Sequence, residues 1–265
     1  MPSSPLQVVG GHKDTIELDE DDMLIKTTNP TELDFYQSVN IAHSIYHHIP
    51  HFYGALKLHS APNPPSAEDA PKEAIVLENL TDYFSIPNIC DIKLGKVLYD
   101  DHATPEKQQR MEQSSINTTS HATGIRFTGF KVWNTAKEDY DVTDKAYGKS
   151  LTPQQLPDAL RRFIPIPHSL TIKQLKFVVS SIHSQLLSVR DAVSLMPFRS
   201  ISSSILIVHE ADSDDFLEEQ AAMVKLIDFA HTRLTDADTP DMNILAGIDT
   251  LIDLVYNYKE YINQL

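Results

Sequence analysis

The stretch that decides the fold is Pro87-Asn88-Ile89-Cys90-Asp91-Ile92-Lys93-Leu94-Gly95. A proline before the alternating residues and a glycine after them predict a short β-strand. Side chains alternate across a strand, so the apolar Cys90, Ile92 and Leu94 are predicted on one face. Asp91 and Lys93 then share the other face, roughly 7 Å apart. The apolar face can pack on a core, and the charged face is either a solvated surface or a functional site.

The composition is typical of a globular protein, with 41% hydrophobic and 22% charged residues in a chain of 265. The sequence has no apolar run long enough to predict a membrane span. Cys90 is the only cysteine, so an internal disulfide is excluded and a reducing compartment is expected. A net charge of −15 argues against direct binding to nucleic acid, which needs a basic surface. The placement of the basic residues therefore matters more than their number.

The N-terminal part of the chain predicts paired strands followed by a helix. Gly10-Gly11 is a turn signal, Met23–Lys26 is a predicted strand, and a helix is predicted from Asn29 through Ile41. A strand lysine followed by a helix glutamate, here Lys26 and Glu32, fits the kinase arrangement in which an ammonium grips ATP phosphates and a carboxylate orients it. Such pairs are also common on protein surfaces, so spacing alone leaves both interpretations open.

A second helix is predicted to begin at Thr104, with Pro105 at its first position. Lys107 and Arg110 share one face of this helix. A lysine in the first turn opposes the helix dipole at a cost of a few tenths of a kcal/mol. On an acidic chain this suggests a use for Lys107, although exposed lysines often break the rule without consequence.

Several other segments carry clear signals. Gly124–Trp133 predicts a strand, and Thr171 with Gln174 predicts a capping box that opens a long amphipathic helix. The polar segments 61–71, 134–144 and 210–219 are predicted to be surface loops, the last as a mobile, acidic hairpin tip.

A strand followed by Asp228-Phe229 is similar to the Asp-Phe-Gly motif of kinases, with alanine in place of glycine. Asp228 offers a hard oxygen ligand suited to Mg²⁺. Ser204 enters the strand 202–208 and is either a helper in positioning metal or phosphate, or a hydroxyl that satisfies the local backbone.

Pro-x-x-x-Asp-x-Lys-x-Gly is the signature of the inositol polyphosphate kinases, and Pro87, Asp91, Lys93 and Gly95 fill its fixed positions. Further similar blocks are Gly10-Gly11-His12, Leu24–Lys26, Glu32–Tyr36, Leu77–Thr81, Lys96–Asp100, Gly124–Val132, Tyr147–Leu151, Ser202–Val208 and Ile227–His231. The chain therefore resembles the inositol polyphosphate kinase family, and within it the fungal multikinases.

The resemblance implies an α+β, two-lobed, protein-kinase-like fold. A small β-rich N-lobe over residues 1–79 would bind ATP, and a larger C-lobe over residues 80–265 would carry the inositol-phosphate-binding helix near 104–115. The implied reaction is ATP- and Mg²⁺-dependent phosphorylation of inositol polyphosphates such as inositol 1,4,5-trisphosphate, at the 3- and 6-positions.

The resemblance also implies roles for individual residues. Lys26 and Glu32 would serve the ATP phosphates, Glu78 and Leu80 the adenine, Asp91 the ribose hydroxyls, and Asp228 the metal. Lys93 would lie between the transferred phosphate and the substrate. The substrate phosphates would be bound by Lys107, Arg110, Lys131 and His231. From the pattern alone Lys131 could equally be a solvated strand residue, and Arg126 is expected to be a scaffold residue.

Three alternatives remain open at this stage: an inositol hexakisphosphate kinase, a scaffold for transcription factors, and a kinase acting on phosphoinositide headgroups. The last lacks support from a basic amphipathic anchor in the sequence. A protein kinase is disfavoured because the sequence lacks a His-Arg-Asp-Leu-x-x-x-Asn motif. The expected protein is a monomer found in the nucleus and cytoplasm.

Overall fold

The computed structural model describes residues 16–19, 21–58, 72–166, 169–236 and 239–265. The Gly10-Gly11-His12 block and the loop 61–71 lie outside these residues. In chain order the strands are β1 (Ile16–Leu18), β2 (Leu24–Thr27), β3 (Phe52–Leu58), β4 (Lys72–Leu77), β5 (Pro87–Leu94), β6 (Ile125–Asn134), β7 (Asp139–Thr143), β8 (Phe198–Ser200), β9 (Ser204–Glu210), β10 (Ala222–Ile227) and β11 (Thr232–Leu234). The helices are α1 (Pro30–Ser38), α2 (Pro105–Ile116), α3 (Thr119–Thr123), α4 (Lys145–Ser150), α5 (Leu156–Phe163), α6 (Ile172–Leu195) and α7 (Met242–Asn263).

Two antiparallel sheets organise the structure. The first contains four strands in the order β1-β2-β4-β3, and all of it precedes residue 80. The second contains five strands in the order β10-β9-β5-β6-β7, and β8 pairs with β11 in a small ribbon. The six helices after α1 all follow the first sheet in sequence, so the predicted α+β fold is confirmed. The exact boundary at residue 79 stays a prediction.

The signature stretch forms β5, the middle strand of the larger sheet, as the sequence predicts. Its apolar residues Cys90, Ile92 and Leu94 are almost fully buried in the main core. On that side lie α6 and α7, which pack against each other. The alternation of side chains therefore directs one face of β5 into the core and leaves the other for Asp91 and Lys93.

The long helix α6 begins with the predicted capping box, in which Thr171 and Gln174 satisfy each other's backbone N–H groups. Its buried face repeats with helical spacing and consists of Leu175, Val178, Val179, Ile182, Leu186 and Val189. Among the described residues, no helix is both long and apolar enough to cross a membrane.

The chain turns sharply after β5, and the turn requires glycine at residue 95. Gly95 has φ +97°, a conformation that other residues rarely adopt. A Cβ atom there would also lie 2.6 Å from Asn243 Nδ2. Asn243 holds the turn because its Oδ1 accepts hydrogen bonds from the backbone N–H groups of Lys96 and Val97. The last position of the signature is therefore fixed by α7, which passes alongside it.

The structure corrects several predicted elements. The first helix ends at Ser38, so Ile41 lies beyond it and is exposed. β3 was not predicted, and the segment 134–144 contains the edge strand β7 rather than only a surface loop.

The acidic segment 210–219 is also not simply a mobile tip. Glu210 is buried, and its carboxylate accepts hydrogen bonds from the backbone N–H groups of Ser85, Ile86, Ala211 and Asp212 at 2.8–2.9 Å. This one side chain pins the segment before β5 to the end of β9. Glu210 is thus an architectural residue, because backbone donors in a buried region need acceptors.

We expect Glu210→Ala to lower the free energy of unfolding by about 3 kcal/mol, because four backbone donors lose their acceptor. Urea denaturation of the two proteins measures this difference. Glu218→Ala is the matched control, since Glu218 belongs to the same segment but forms only an exposed pair with Lys173. The control should change stability by less than about 1 kcal/mol. Equal effects of the two substitutions would contradict the architectural role of Glu210.

Candidate active site

Three charged side chains from different elements meet in one cluster. Lys26 Nζ, on β2, lies 2.7 Å from Glu32 Oε1 on α1 and 2.8 Å from Asp228 Oδ1, just after β10. The cluster therefore joins the two sheets. Burial alone would lower the pKa of Lys26, but the carboxylates of Asp228 and Glu32 outweigh it and raise the pKa above its ordinary value. Lys26 stays charged at neutral pH.

Glu32 is the centre of this cluster, and it is 1% exposed. Besides Lys26, its carboxylate accepts hydrogen bonds from Thr28 Oγ1 at 2.9 Å and from the backbone N–H of Phe229 at 3.1 Å. Asn29 caps α1 by accepting from the Glu32 N–H, and its Nδ2 donates to the carbonyl of Ala230. The start of α1 is thus tied directly to the segment that contains Asp228.

The Asp228 backbone is in the left-handed region, with φ +66°. Such a conformation is strained for a residue other than glycine and needs support from its surroundings. Phe229 supplies it, because its ring stacks on Phe35 with 4.2 Å between centroids and packs edge-on against Tyr36. The buried aromatic ring fixes the turn, so the Asp228 side chain remains directed at Lys26 and is 43% exposed.

The second half of the site lies on the charged face of β5, which is not a solvated surface. Asp91 is 4% exposed, and Lys93 is half-buried. Lys93 pairs with Ser204 of β9 on one side and with Arg126 of β6 on the other. Directly paired residues of antiparallel strands point to the same face, so these three side chains lie in a row.

A β-bulge shapes this face of the sheet. Asp91 pairs with Gly129 and Ile92 with Phe127, so Thr128 has no partner on β5. Around the bulge, three buried polar atoms lack a hydrogen-bond partner among the described residues: Asp91 Oδ1, Arg126 Nε and Thr128 Oγ1. Buried polar atoms are normally paired, so this group of donors and acceptors indicates a place where a ligand or water binds.

The pKa values of Asp91 and Lys93, the two charged residues on this face of β5, are shifted from their ordinary values. Burial, followed by the charge of Asp228, raises the pKa of Asp91 to about 7, against the opposing effect of a hydrogen bond from Ser204. Burial also lowers the pKa of Lys93, and the Arg126 guanidinium adds to that effect while the carboxylates of Asp228 and Asp91 oppose it. Perturbed groups of both signs in one cleft are typical of a functional site.

Two of the residues predicted to bind substrate phosphates also lie close together. Lys107 Nζ, on α2, lies 3.5 Å from Asp100 Oδ2, and His231 Nδ1 lies 3.7 Å from the same oxygen. α2 begins at the predicted N-cap, where Thr104 accepts from the Lys107 N–H. Arg110 is exposed on the same helix. The structure thus brings Lys107 and His231 together through Asp100, to which the sequence assigned no role.

Lys131 does not lie beside Lys107 and His231. It pairs with Ile89 near the beginning of β5, whereas α2 follows the end of that strand at Leu94, about 17 Å away at 3.3 Å per residue. Its Nζ lies 4.3 Å from the centroid of the Tyr140 ring, and the residue is buried rather than solvated. The assignment of Lys131 to the substrate stays a prediction.

The predicted adenine contacts occupy the segment between β4 and β5. The Glu78 carboxylate accepts from the Tyr83 hydroxyl at 2.6 Å and from the His51 N–H at 2.9 Å. The backbone N–H of Glu78 is also bonded, to the His51 carbonyl. Any adenine contact by Glu78 therefore falls to its backbone carbonyl. The Leu80 side chain is buried.

A divalent cation fits the residues that are present. No group of three or more acidic, histidine or cysteine side chains that could hold a metal occurs within the described ranges. Mg²⁺ usually takes only one or two protein carboxylates and completes its coordination with phosphates and water. Asp228 is exposed enough to serve, and the unpaired oxygen of Asp91 and the Ser204 hydroxyl lie on the adjoining face.

Sequence reasoning missed two residues of the site. It assigned Arg126 to the scaffold, although strand alternation in Arg126-Phe127 was enough to separate it from the core face. It included Asp100 in the Lys96–Asp100 block that follows the signature but assigned it no role, because an aspartate in a loop has no periodic pattern that indicates where its side chain lies.

The chain is similar to several known proteins, which share one family. The inositol polyphosphate kinase family matches residues 74–256. An inositol polyphosphate multikinase of Schizosaccharomyces pombe is 33% identical over 257 residues, covering 94% of each chain. Its counterpart from Saccharomyces cerevisiae is 30% identical over 254 residues, covering 73% of this chain and 71% of the relative.

The architecture is shared with a solved structure. The crystal structure of the S. cerevisiae inositol phosphate multikinase, in complex with ADP and Mn²⁺, superposes with a TM-score of 0.75 at 31% identity. The match covers 89% of this chain and 98% of that one.

We expect Asp91→Asn to alter how stability depends on pH. The folded-state pKa of about 7 lies above the value of about 3.9 for an unfolded aspartate. The native state therefore binds the proton more tightly, and this contribution to stability is lost as the pH rises from about 4 to about 7. Asparagine does not ionise, so the variant should gain about 1.4 kcal/mol over wild type per pH unit in that window.

Urea unfolding of the nucleotide-free proteins between pH 4.5 and 8 measures this gain. Asp34→Asn makes the same substitution at an exposed position on α1 and is the control. A difference between Asp91→Asn and wild type that does not change with pH would show that Asp91 ionises normally.

Proposed function

The chain belongs to the inositol polyphosphate kinase family, and from this premise we propose that it transfers the γ-phosphoryl group of ATP to hydroxyls of inositol polyphosphates. The proposed substrate is inositol 1,4,5-trisphosphate, phosphorylated at the 3- and 6-positions. The observation that carries the proposal is the 2.8 Å contact between Lys26 and Asp228, which unites a phosphate-binding ammonium and a metal-binding carboxylate across the two sheets.

Phosphoryl transfer depends on charge neutralisation and alignment more than on covalent catalysis. Lys26 would bind the ATP phosphates while Glu32 keeps its ammonium in position. Asp228 would hold Mg²⁺, which neutralises charge on the phosphates when bound. The complex of the yeast relative with ADP and Mn²⁺ supports the use of an adenine nucleotide and a divalent cation.

The charged face of β5 would serve both substrates. The unpaired Asp91 oxygen can accept a hydrogen bond from a ribose hydroxyl, as the resemblance implies. Lys93 lies next in the row and would neutralise charge at the transferred group. Arg126 flanks Lys93 and has a free Nε donor, so it would bind a phosphate of the inositol substrate together with Lys107, Arg110 and His231.

One experiment tests the proposal directly. The purified protein is incubated with ATP, Mg²⁺ and inositol 1,4,5-trisphosphate, and the product isomers are separated by chromatography. A tetrakisphosphate followed by a pentakisphosphate is expected. A parallel incubation with inositol hexakisphosphate separates the multikinase from the hexakisphosphate kinase, and turnover of hexakisphosphate alone would overturn the proposal.

We expect Lys93→Ala to reduce transfer by at least a factor of about 100, because it removes a cation from the reacting group. The unfolding transition should be nearly unchanged, since the side chain lies off the apolar face of β5. Lys173→Ala, on the exposed surface of α6, should leave turnover as in wild type. Wild-type turnover by Lys93→Ala would refute its assignment.

The same variant separates catalysis from other roles suggested by the resemblance. Binding to transcription factors and residence in the nucleus and cytoplasm are expectations that transfer activity does not test. A cellular phenotype that survives Lys93→Ala would belong to such a scaffold role.

We expect Arg126→Gln to raise KM for the inositol phosphate about tenfold, the loss of one charge-assisted contact. KM for ATP should change less than about twofold. Steady-state kinetics with each substrate varied in turn supply both values. A larger effect on ATP than on the inositol phosphate would place Arg126 on the nucleotide instead.

A further inference from the structure

Asp100 occupies a position that phosphoryl transfer does not explain. One of its carboxylate oxygens lies 3.5 Å from Lys107 Nζ and 3.7 Å from His231 Nδ1. Both partners are proposed to bind phosphates of the substrate. A negative charge therefore lies between two groups whose proposed task is to attract negative charge.

The carboxylate is held by its own loop rather than by these partners. Asp100 Oδ1 accepts a hydrogen bond from the backbone N–H of His102 at 3.0 Å, and the Asp100 carbonyl accepts one from Ala103. Aspartate commonly closes turns in this way. The backbone N–H of His102 fixes the Asp100 side chain. A substrate group that binds Lys107 and His231 therefore still lies close to the Asp100 carboxylate.

The group remains ionised in the site. Slight burial favours the neutral acid, but Lys107, the His102 N–H and His231 together lower the pKa of Asp100 below its ordinary value. The carboxylate also faces open space, a cavity of about 880 Å³ lined in addition by His231 and Arg233. That volume is within the usual range for small-molecule sites.

Resting on the proposed function, we propose that Asp100 is a specificity-determining residue that selects inositol phosphates by the group they present beside Lys107 and His231. A ring hydroxyl can donate a hydrogen bond to the carboxylate and is accepted. A ring phosphate at the same point brings like charges together and is rejected. Selectivity between substrates thus comes from a repulsive element within an attractive cluster.

Whether Asp100 rejects an inositol phosphate depends on how many of its ring positions carry phosphate. A trisphosphate has three hydroxyls and can turn one of them towards Asp100. Inositol hexakisphosphate has none, so every orientation that uses Lys107 and His231 sets a phosphate against the carboxylate. Asp100 would therefore favour partly phosphorylated rings over the fully phosphorylated one.

Asp100→Asn tests this with little structural change, because the amide oxygen can still accept from the His102 N–H. Calorimetry gives the dissociation constants of inositol 1,4,5-trisphosphate and inositol hexakisphosphate for each protein. The ratio of the two constants should shift about tenfold in favour of hexakisphosphate, the effect of removing one repulsive contact. The inhibition constant of hexakisphosphate against trisphosphate phosphorylation should shift in the same direction.

Asp101→Asn is the matched control. It removes the same charge from the neighbouring residue, whose exposed side chain pairs with Arg233 at 2.6 Å rather than with Lys107 or His231. Its ratio should stay within about twofold of wild type, because the Asp101 carboxylate is 79% exposed and paired with Arg233, so its charge is screened. An equal change of this ratio in Asp100→Asn and Asp101→Asn would show that only the net charge of the protein matters, and would overturn the proposal.

Weaker binding of both inositol phosphates by the same factor in Asp100→Asn would also overturn it, since Asp100 would then only position Lys107. Failure of the proposed function has a different signature. A wild-type protein that transfers nothing to trisphosphate refutes the kinase assignment, while the calorimetric ratio still decides the role of Asp100.

Discussion

The buried carboxylate of Glu32 is the constraint on which the arrangement of the site depends. It accepts hydrogen bonds from three places at once: Lys26 on β2, Thr28 before α1, and the backbone of Phe229 after β10. An ionised group can be this deeply buried only when its oxygens are fully paired. The pairing partners come from both sheets, so the folded state that satisfies Glu32 is also the one that sets Lys26 against Asp228.

The distribution of charge explains how an acidic protein can recognise polyanions. The net charge of −15 is a property of the whole chain, but Lys93 at the end of β5, its pairing partner Arg126 on β6 and Lys107 on α2 are basic residues of the candidate site. Long-range attraction is screened over about 10 Å at ordinary ionic strength, so local cations decide what binds. Acidic residues among these cations, such as Asp100, add negative potential at defined points and so affect which groups of a polyanion can bind there.

The sequence allowed the central elements of the fold and much of the site to be predicted, and the reasons for the failures are physical. β5 was predictable because alternation and burial agree with each other at every position. β7 was missed because it is an edge strand with mostly polar, exposed residues and so looks like a loop. β3 is interrupted by Gly54 and a register shift, which weakens its pattern. Glu210 and Asp100 accept hydrogen bonds from backbone N–H groups, and no sequence motif reveals such contacts.

The β-bulge at Thr128 has a consequence for how this protein can evolve. Its unpaired buried atoms make the sheet locally frustrated, since the side chains there conflict with the needs of a well-satisfied interior. Selection for thermal stability alone would replace them with apolar residues and straighten the strand. Their presence at the centre of the larger sheet is therefore expected where a bound ligand or water, rather than the fold itself, satisfies the buried polar atoms.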